Sequence, residues 1–113
     1  TKIDAEIHDK MFASVSHLPH LLAYTTINAI TNSETPNALS YSGAGLKDFS
    51  RIASSSPEMW ADIFLENSIN LQYQINAFRK SLSTLEEAIN ENDKQKLVEL
   101  LTQAKHERDN WIT

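Results

Sequence analysis

The residues best suited to chemistry in this sequence surround a proline within a helical pattern. The stretch Ser-His-Leu-Pro-His places Ser16, His17 and His20 around Pro19. Proline inside a helix removes a backbone hydrogen bond and costs about 3 kcal/mol, so we expect a kink there. Imidazole and hydroxyl groups gathered at a kink suit the binding of a small anion. Capping or core hydrogen bonding explains the same residues, and both interpretations stay open.

A metal site is another possibility in the same region. His8, Asp9, His17 and His20 could supply ligands, but His-x-x-His alone is a weak signal and no HExxH accompanies it. The sequence has no cysteine, which excludes thiolate ligands and disulfides. We therefore predict no metal.

A second polar group follows the only two glycines, Gly43 and Gly45. Their spacing predicts unusual backbone angles or a close approach at that point. Asp48 and Arg51 lie three residues apart and could form a surface ion pair. Alternatively, a guanidinium beside exposed backbone amides suits a carboxylate or phosphate. Trp60 is interpreted as a core residue.

Composition indicates the elements that must position these groups. The 113 residues include only two glycines and three prolines, too few for the turns of a sheet-rich domain. A net charge of −5 argues against nucleic acid as a partner, and no apolar run is long enough to span a membrane. No P-loop or nucleophile elbow is present. We predict a single all-α domain over residues 1–113, a helical bundle.

The helical pattern predicts a long, Pro-kinked first helix from about Ile3 to Asn32, with Asp9, Ser16 and His20 opposite its apolar stripe. A loop over residues 31–45 and a short helix follow. The stripe is expected to face the core and comprises Ile7, Met11, Val15, Leu18, Leu22 and Ala29.

Two long helices complete the predicted bundle. Ser56 and Pro57 mark a helix start, and Asn92 with Gln95 resembles a capping box that opens the last helix. Apolar residues repeat in heptads along a seam at Leu71, Ile75, Phe78, Leu82, Leu85 and Ile89. The last helix is expected to turn inward Leu97, Leu101, Ala104 and Trp111.

The motifs HDKMFASVSHLPHLLAY and SGAGLKDFSRIASSSPEMWADIFLEN, in this order, resemble the C-terminal helical domain of prephenate dehydrogenase, including its cyclohexadienyl and arogenate relatives. The similarity is dense from His8 to Asn67 and afterwards rests on helical pattern. The resemblance implies a cytoplasmic, homodimeric enzyme that converts prephenate or arogenate, small dicarboxylates, with NAD or NADP. It also implies that the Rossmann domain and the catalytic histidine are absent from this chain, which alone would bind no cofactor and be inactive. The helical pattern that begins at Thr1 agrees with a chain cut from something longer.

Carried onto this sequence, the resemblance assigns substrate binding to Ser16, His17, His20 and Arg51, with His20 at the substrate side chain and Arg51 at a carboxylate. Asp48 is then the ionic neighbour of Arg51, and Trp60 lies near the pocket. The family often shows three glycines where this chain has Gly43-Ala44-Gly45. Two alternatives remain: a structural dimerisation module, or the helical domain of another Rossmann-type hydroxyacid dehydrogenase.

Overall fold

The computed structural model describes residues 4–113, and within them every regular element is helical. The α-helices are α1 (Ala5–Phe12), α2 (Leu18–Thr31), α3 (Ala44–Ser50), α4 (Pro57–Glu66), α5 (Ser68–Asn90) and α6 (Lys94–Ile112). A π turn (Ala13–His17) joins α1 to α2, and 3₁₀ turns cover Ala38–Tyr41 and Arg51–Ser54. The all-α prediction is confirmed. No described helix is long and apolar enough to cross a membrane.

The chain forms two compact units, one up to Ile75 and one from Asn76 onward. Helix α5 contributes to both. The first unit contains the π turn and the loop between α2 and α3. The second contains the end of α5 and all of α6.

The irregularity of the first helix lies before Pro19, in the π turn. There the Leu18 N–H donates to the Ala13 carbonyl, five residues back. Pro19 then occupies the first turn of α2, where its missing N–H matters least. In place of the expected kink at Pro19, a π turn precedes the proline, which begins a new helix. The predicted helix start at Ile3 lies outside the described residues.

The prediction that the apolar stripe faces the core was wrong for most of its residues. Ile7 is 54% exposed and Val15 is 69% exposed, and Ala29 is also exposed. The fully buried residues are Ala13 and Ala23, while Leu18 and Leu22 are half-buried. A helical wheel assumes about 100° per residue, and the wider π turn departs from this angle. The wheel therefore assigns the wrong side of the helix beyond the π turn. Ile7 and Met11 precede the turn, and their exposure shows that α1 does not bury its apolar side in this unit.

The unusual backbone angles predicted for Gly43 and Gly45 do not occur, because neither glycine has a positive φ. Gly43 has extended backbone angles before α3, and a Cβ added at Gly43 or Gly45 would meet no atom within 4 Å. The left-handed conformation in the loop belongs to Asn37, with φ 59°. An asparagine tolerates this region because its short side chain can bond locally, so the loop turns without using its glycines.

Helix α4 begins as the sequence predicted. The Met59 N–H donates to the Ser56 hydroxyl at 3.2 Å, and Pro57 opens the helix. The cap fixes the first turn and places Trp60 one turn inside it.

The start of α6 differs from the prediction by one residue. Asn92, with φ 54°, closes α5 in a Schellman arrangement in which the Asp93 N–H donates to the Ala88 carbonyl at 2.9 Å. Asp93 is the N-cap, accepting from the Lys96 N–H at 3.0 Å, so the predicted Asn92–Gln95 capping box is wrong.

Burial in the second unit is slight. Ala88 is buried there, and Leu85 and Leu97 are half-buried. Of the four seam residues in this unit, three are exposed. The exposed seam residues are Phe78, Leu82 and Ile89. The residues of α6 that were expected to lie inward but are exposed are Leu101, Ala104 and Trp111.

Candidate binding site around Trp60

A buried indole forms the centre of the candidate site. Trp60 of α4 is 9% exposed and stacks on the imidazole of His20 from α2, with ring centroids 3.6 Å apart and planes inclined by 15°. Phe64 lies one turn further along α4, at 5.7 Å from the indole. The contact between α2 and α4 therefore has an aromatic interior, with the polar imidazole of His20 on the α2 side.

The His20 ring is also fixed from its own helix. Its Nδ1 lies 2.9 Å from the Ser16 carbonyl oxygen, which can only accept a hydrogen bond. Nδ1 must therefore carry the proton in this contact. The other nitrogen, Nε2, has no hydrogen bond within the part of the chain that the structure describes. It is the atom of His20 that could contact a ligand.

His17 contacts the same indole edge-on, with centroids 6.1 Å apart and planes at 76°. Its Nδ1 lies 3.3 Å from the amide nitrogen of Asn67. Burial lowers the pKa of His17 below its ordinary value of 6.5, and the charges of His20 and His8 lower it further, while Asp9 acts in the opposite direction. The ring is thus driven towards its neutral form.

Asn67 is a site residue that the sequence analysis missed. It lies between α4 and α5, and its amide also donates to the Asp9 carbonyl at 2.8 Å. Its carbonyl oxygen accepts from the Asn70 amide at 2.9 Å. A polar residue at the joint of two helices was the available signal, but no spacing rule connected it to the histidines.

Two grooves lie beside this cluster. One, of about 330 Å³, lies between α2 and α4 and includes Trp60, Phe64 and Tyr24 in its lining. The other, of about 320 Å³, is lined by His8, Asp9, Phe12, His17, Ile63, Glu66 and Asn67. The Tyr24 hydroxyl donates to the Ser55 carbonyl at 2.9 Å, which ties α2 to the segment that follows Arg51.

The structure brings His17 and His20 together on Trp60, with the Ser16 carbonyl on the His20 ring, and within the described residues it shows no direct contact of Arg51 with them. Arg51 is exposed at the start of its 3₁₀ turn. Among residues 4–113, neither a hydrogen bond nor an ion pair joins it to the histidines.

The alternative in which Asp48 simply pairs with Arg51 is not realised. The ion pairs within 4.0 Å in the described chain are His8–Asp9, Lys10–Glu6 and Lys105–Asp109. Gly43, the N-cap of α3, and Gly45, in the first turn, are exposed and precede Asp48. Over the same residues, 4–113, no group of three or more potential metal ligands occurs.

Comparison with known proteins gives this geometry a context. A family model described as "Prephenate dehydrogenase, dimerization domain" matches residues 4–103. The cyclohexadienyl dehydrogenase of Zymomonas mobilis is 38% identical over 101 residues, which cover 86% of this chain and 34% of that protein. The chain thus spans about a third of the length of this curated relative.

Solved structures share the fold closely. A crystal structure of prephenate dehydrogenase from A. aeolicus, in complex with hydroxyphenyl propionate and NAD+, superposes with a TM-score of 0.89 at 43% identity, covering 96% of this chain and 38% of that one. Synechocystis arogenate dehydrogenase superposes with a TM-score of 0.85 at 26% identity, covering 92% of this chain and 39% of that one.

Proposed function

This chain belongs to the family of prephenate dehydrogenase dimerization domains, and we propose that it is the dimerising, substrate-binding part of such an enzyme. The proposed reaction is the oxidative decarboxylation of prephenate to 4-hydroxyphenylpyruvate with NAD+ or NADP+, in the cytoplasm. The solved relative at 43% identity was crystallised with hydroxyphenyl propionate, a ring that carries a carboxylate side chain. That ligand has the general form of the proposed product.

The observation that carries the proposal is the stacking of His20 on the buried face of Trp60. Two imidazoles held against one indole combine an apolar wall with polar nitrogens, which suits a cyclic substrate with charged substituents. In the proposed site, the Nε2 atom of His20 contacts the substrate side chain, and Ser16 and His17 line the pocket.

Arg51 is the proposed partner of a substrate carboxylate. Its planar guanidinium keeps its charge and matches the two oxygens of a carboxylate. Its exposure, and the lack of an ion pair with Asp48 among the described residues, leave the fork available to a ligand. Asp48, Gly43 and Gly45 would then support the position of Arg51.

We propose that the dinucleotide and the catalytic histidine belong to a part of the enzyme outside this chain. Dinucleotide sites place a pyrophosphate at a glycine turn between a strand and a helix. Residues 4–113 contain no strand, so these residues do not form such a turn.

A homodimer is proposed for the assembled enzyme. The family description names a dimerization domain, and the described chain exposes large apolar residues in both of its units. These include Ile7, Val15, Ile69, Tyr73, Leu82 and Trp111. In the proposed dimer these side chains would be covered by the second copy.

The function is tested by steady-state assay of the enzyme that carries this chain. Prephenate and arogenate are each supplied with NAD+ and with NADP+, and the formation of reduced cofactor is followed. Prephenate-dependent reduction is the expected result. Reduction with arogenate alone would move the substrate to the one named for the Synechocystis relative, and reduction with neither would contradict the proposal.

A further inference from the structure

Asn67 connects three segments through a single amide group. Its nitrogen donates to the Asp9 carbonyl of α1 at 2.8 Å and lies 3.3 Å from the Nδ1 atom of His17. Its oxygen accepts from Asn70 of α5 at 2.9 Å. An amide nitrogen carries two hydrogens and accepts none, so both of its contacts must be made to acceptors.

This requirement determines the state of His17. If Nδ1 accepts from Asn67, it carries no proton, and the neutral ring must be protonated on Nε2. A doubly protonated ring would set an N–H against the Asn67 N–H and lose the contact. We propose that Asn67 is a positioning residue that holds His17 neutral and protonated on Nε2. On the proposed function, His17 then meets the substrate as an uncharged Nε2–H donor.

Four ionisable side chains lie around His17. His8 and Asp9 of α1 and Glu66 of α4 line the groove that His17 shares with Asn67, and His20 faces the same indole. Burial, His20 and His8 all lower the pKa of His17, and only Asp9 opposes them. This balance favours the neutral ring that the Asn67 contact requires.

The first test is a spectrum of the wild-type protein without any ligand. The enzyme is labelled with ¹⁵N at histidine, and His17 is assigned by the signals missing from His17→Gln. At about pH 8, above the ordinary histidine pKa, Nδ1 should show the shift of an unprotonated ring nitrogen and Nε2 that of a protonated one. A protonated Nδ1 would overturn the proposal.

The second test replaces the amide by a carboxylate. In Asn67→Asp the acceptor oxygens favour a proton on Nδ1, so the titration midpoint of His17 should move from below 6.5 to above it. Asn90→Asp adds the same charge at an exposed position of α5 and should leave the midpoint below 6.5.

A folded Asn67→Asp protein with an unchanged midpoint would also overturn the proposal. Circular dichroism establishes folding, and if this variant does not fold, the wild-type spectrum decides alone. Because neither measurement uses substrate, the tautomer can fail while the proposed enzyme activity stands, or the reverse.

Discussion

At the scale of single residues, Trp60 constrains how the two histidines can act. One ring stacks on the indole and the other is steeply inclined to it, so α4 contributes to the position of both imidazoles. Each ring has one nitrogen committed, His20 to the Ser16 carbonyl and His17 to Asn67. The remaining nitrogens define what the pair could offer to a ligand.

The lowered pKa of His17 predicts a pH-dependent stability. The unfolded histidine, with its ordinary pKa of 6.5, takes up a proton before the folded one does as the pH falls. The contribution of His17 to the free energy of unfolding is therefore fully present above pH 6.5. It is lost as the pH falls through 6.5 towards the lower pKa of the folded protein. Urea unfolding should give a smaller free energy of unfolding at about pH 5 than at about pH 8.

The contribution of His17 is isolated by difference. His17→Gln should reduce the change in unfolding free energy between the two pH values. His106→Gln, at an exposed position of α6, should keep the wild-type change. Equal pH dependence in His17→Gln and wild type would contradict the assignment.

The histidines could be predicted as site residues from the sequence because a proline between them is unusual in a helix. Asn67 could not be predicted, because it is 50 residues from His17 in the chain. The contact exists only because α4 ends where the π turn passes. Such a contact depends on packing between helices, for which a single sequence gives no periodic signal.

At the scale of elements, the π turn determines which side of α2 is buried. Composition and caps were sufficient to predict an all-α chain, the loop before α3 and the start of α4. The burial register was not predictable, because a helical wheel assumes a constant angle per residue and Ala13–His17 departs from it. The result is burial of Ala23 where Ala29 was expected.

Two alanine substitutions on α2 test this register. Ala23 has no exposed surface, so Ala23→Leu should overpack the contact and lower the free energy of unfolding by about 1–3 kcal/mol. Ala29→Leu adds the same atoms at an exposed position and should change it by less than about 0.5 kcal/mol. Chemical denaturation of both proteins measures the difference, and a reversed order would restore the original stripe as the core face.

At the scale of the whole molecule, the exposed apolar residues lie where the proposed second copy of the chain would pack. The heptad seam is buried at Leu71, but Leu82 is 52% exposed and Ile89 is 59% exposed. A single sequence shows that such a seam is apolar, but it does not show whether the same chain or another covers it. An obligate interface of helices buries more than about 2,000 Å² in total.

Light scattering measures this assembly directly. At micromolar concentration the purified chain should have twice its mass of 12.8 kDa. Leu82→Glu places a charge on the seam and should shift the mass towards the monomer. Ser83→Glu adds the same charge at the neighbouring exposed position and should leave the dimer intact, whereas a wild-type monomer at high concentration would contradict the proposal.

The kinetics of Arg51→Ala in the whole enzyme test whether this chain supplies substrate contacts to a prephenate dehydrogenase. Loss of a charged hydrogen bond of about 2 kcal/mol corresponds to a roughly 30-fold loss in kcat/KM, appearing mainly in KM if the contact is equal in ground and transition states. Arg51→Lys should also be impaired, because it keeps the charge without the fork. Lys47→Ala removes an exposed cation from α3 and should leave both constants near wild type. A folded Arg51→Ala enzyme with the KM and kcat of the wild type would contradict the proposed contact between Arg51 and the substrate.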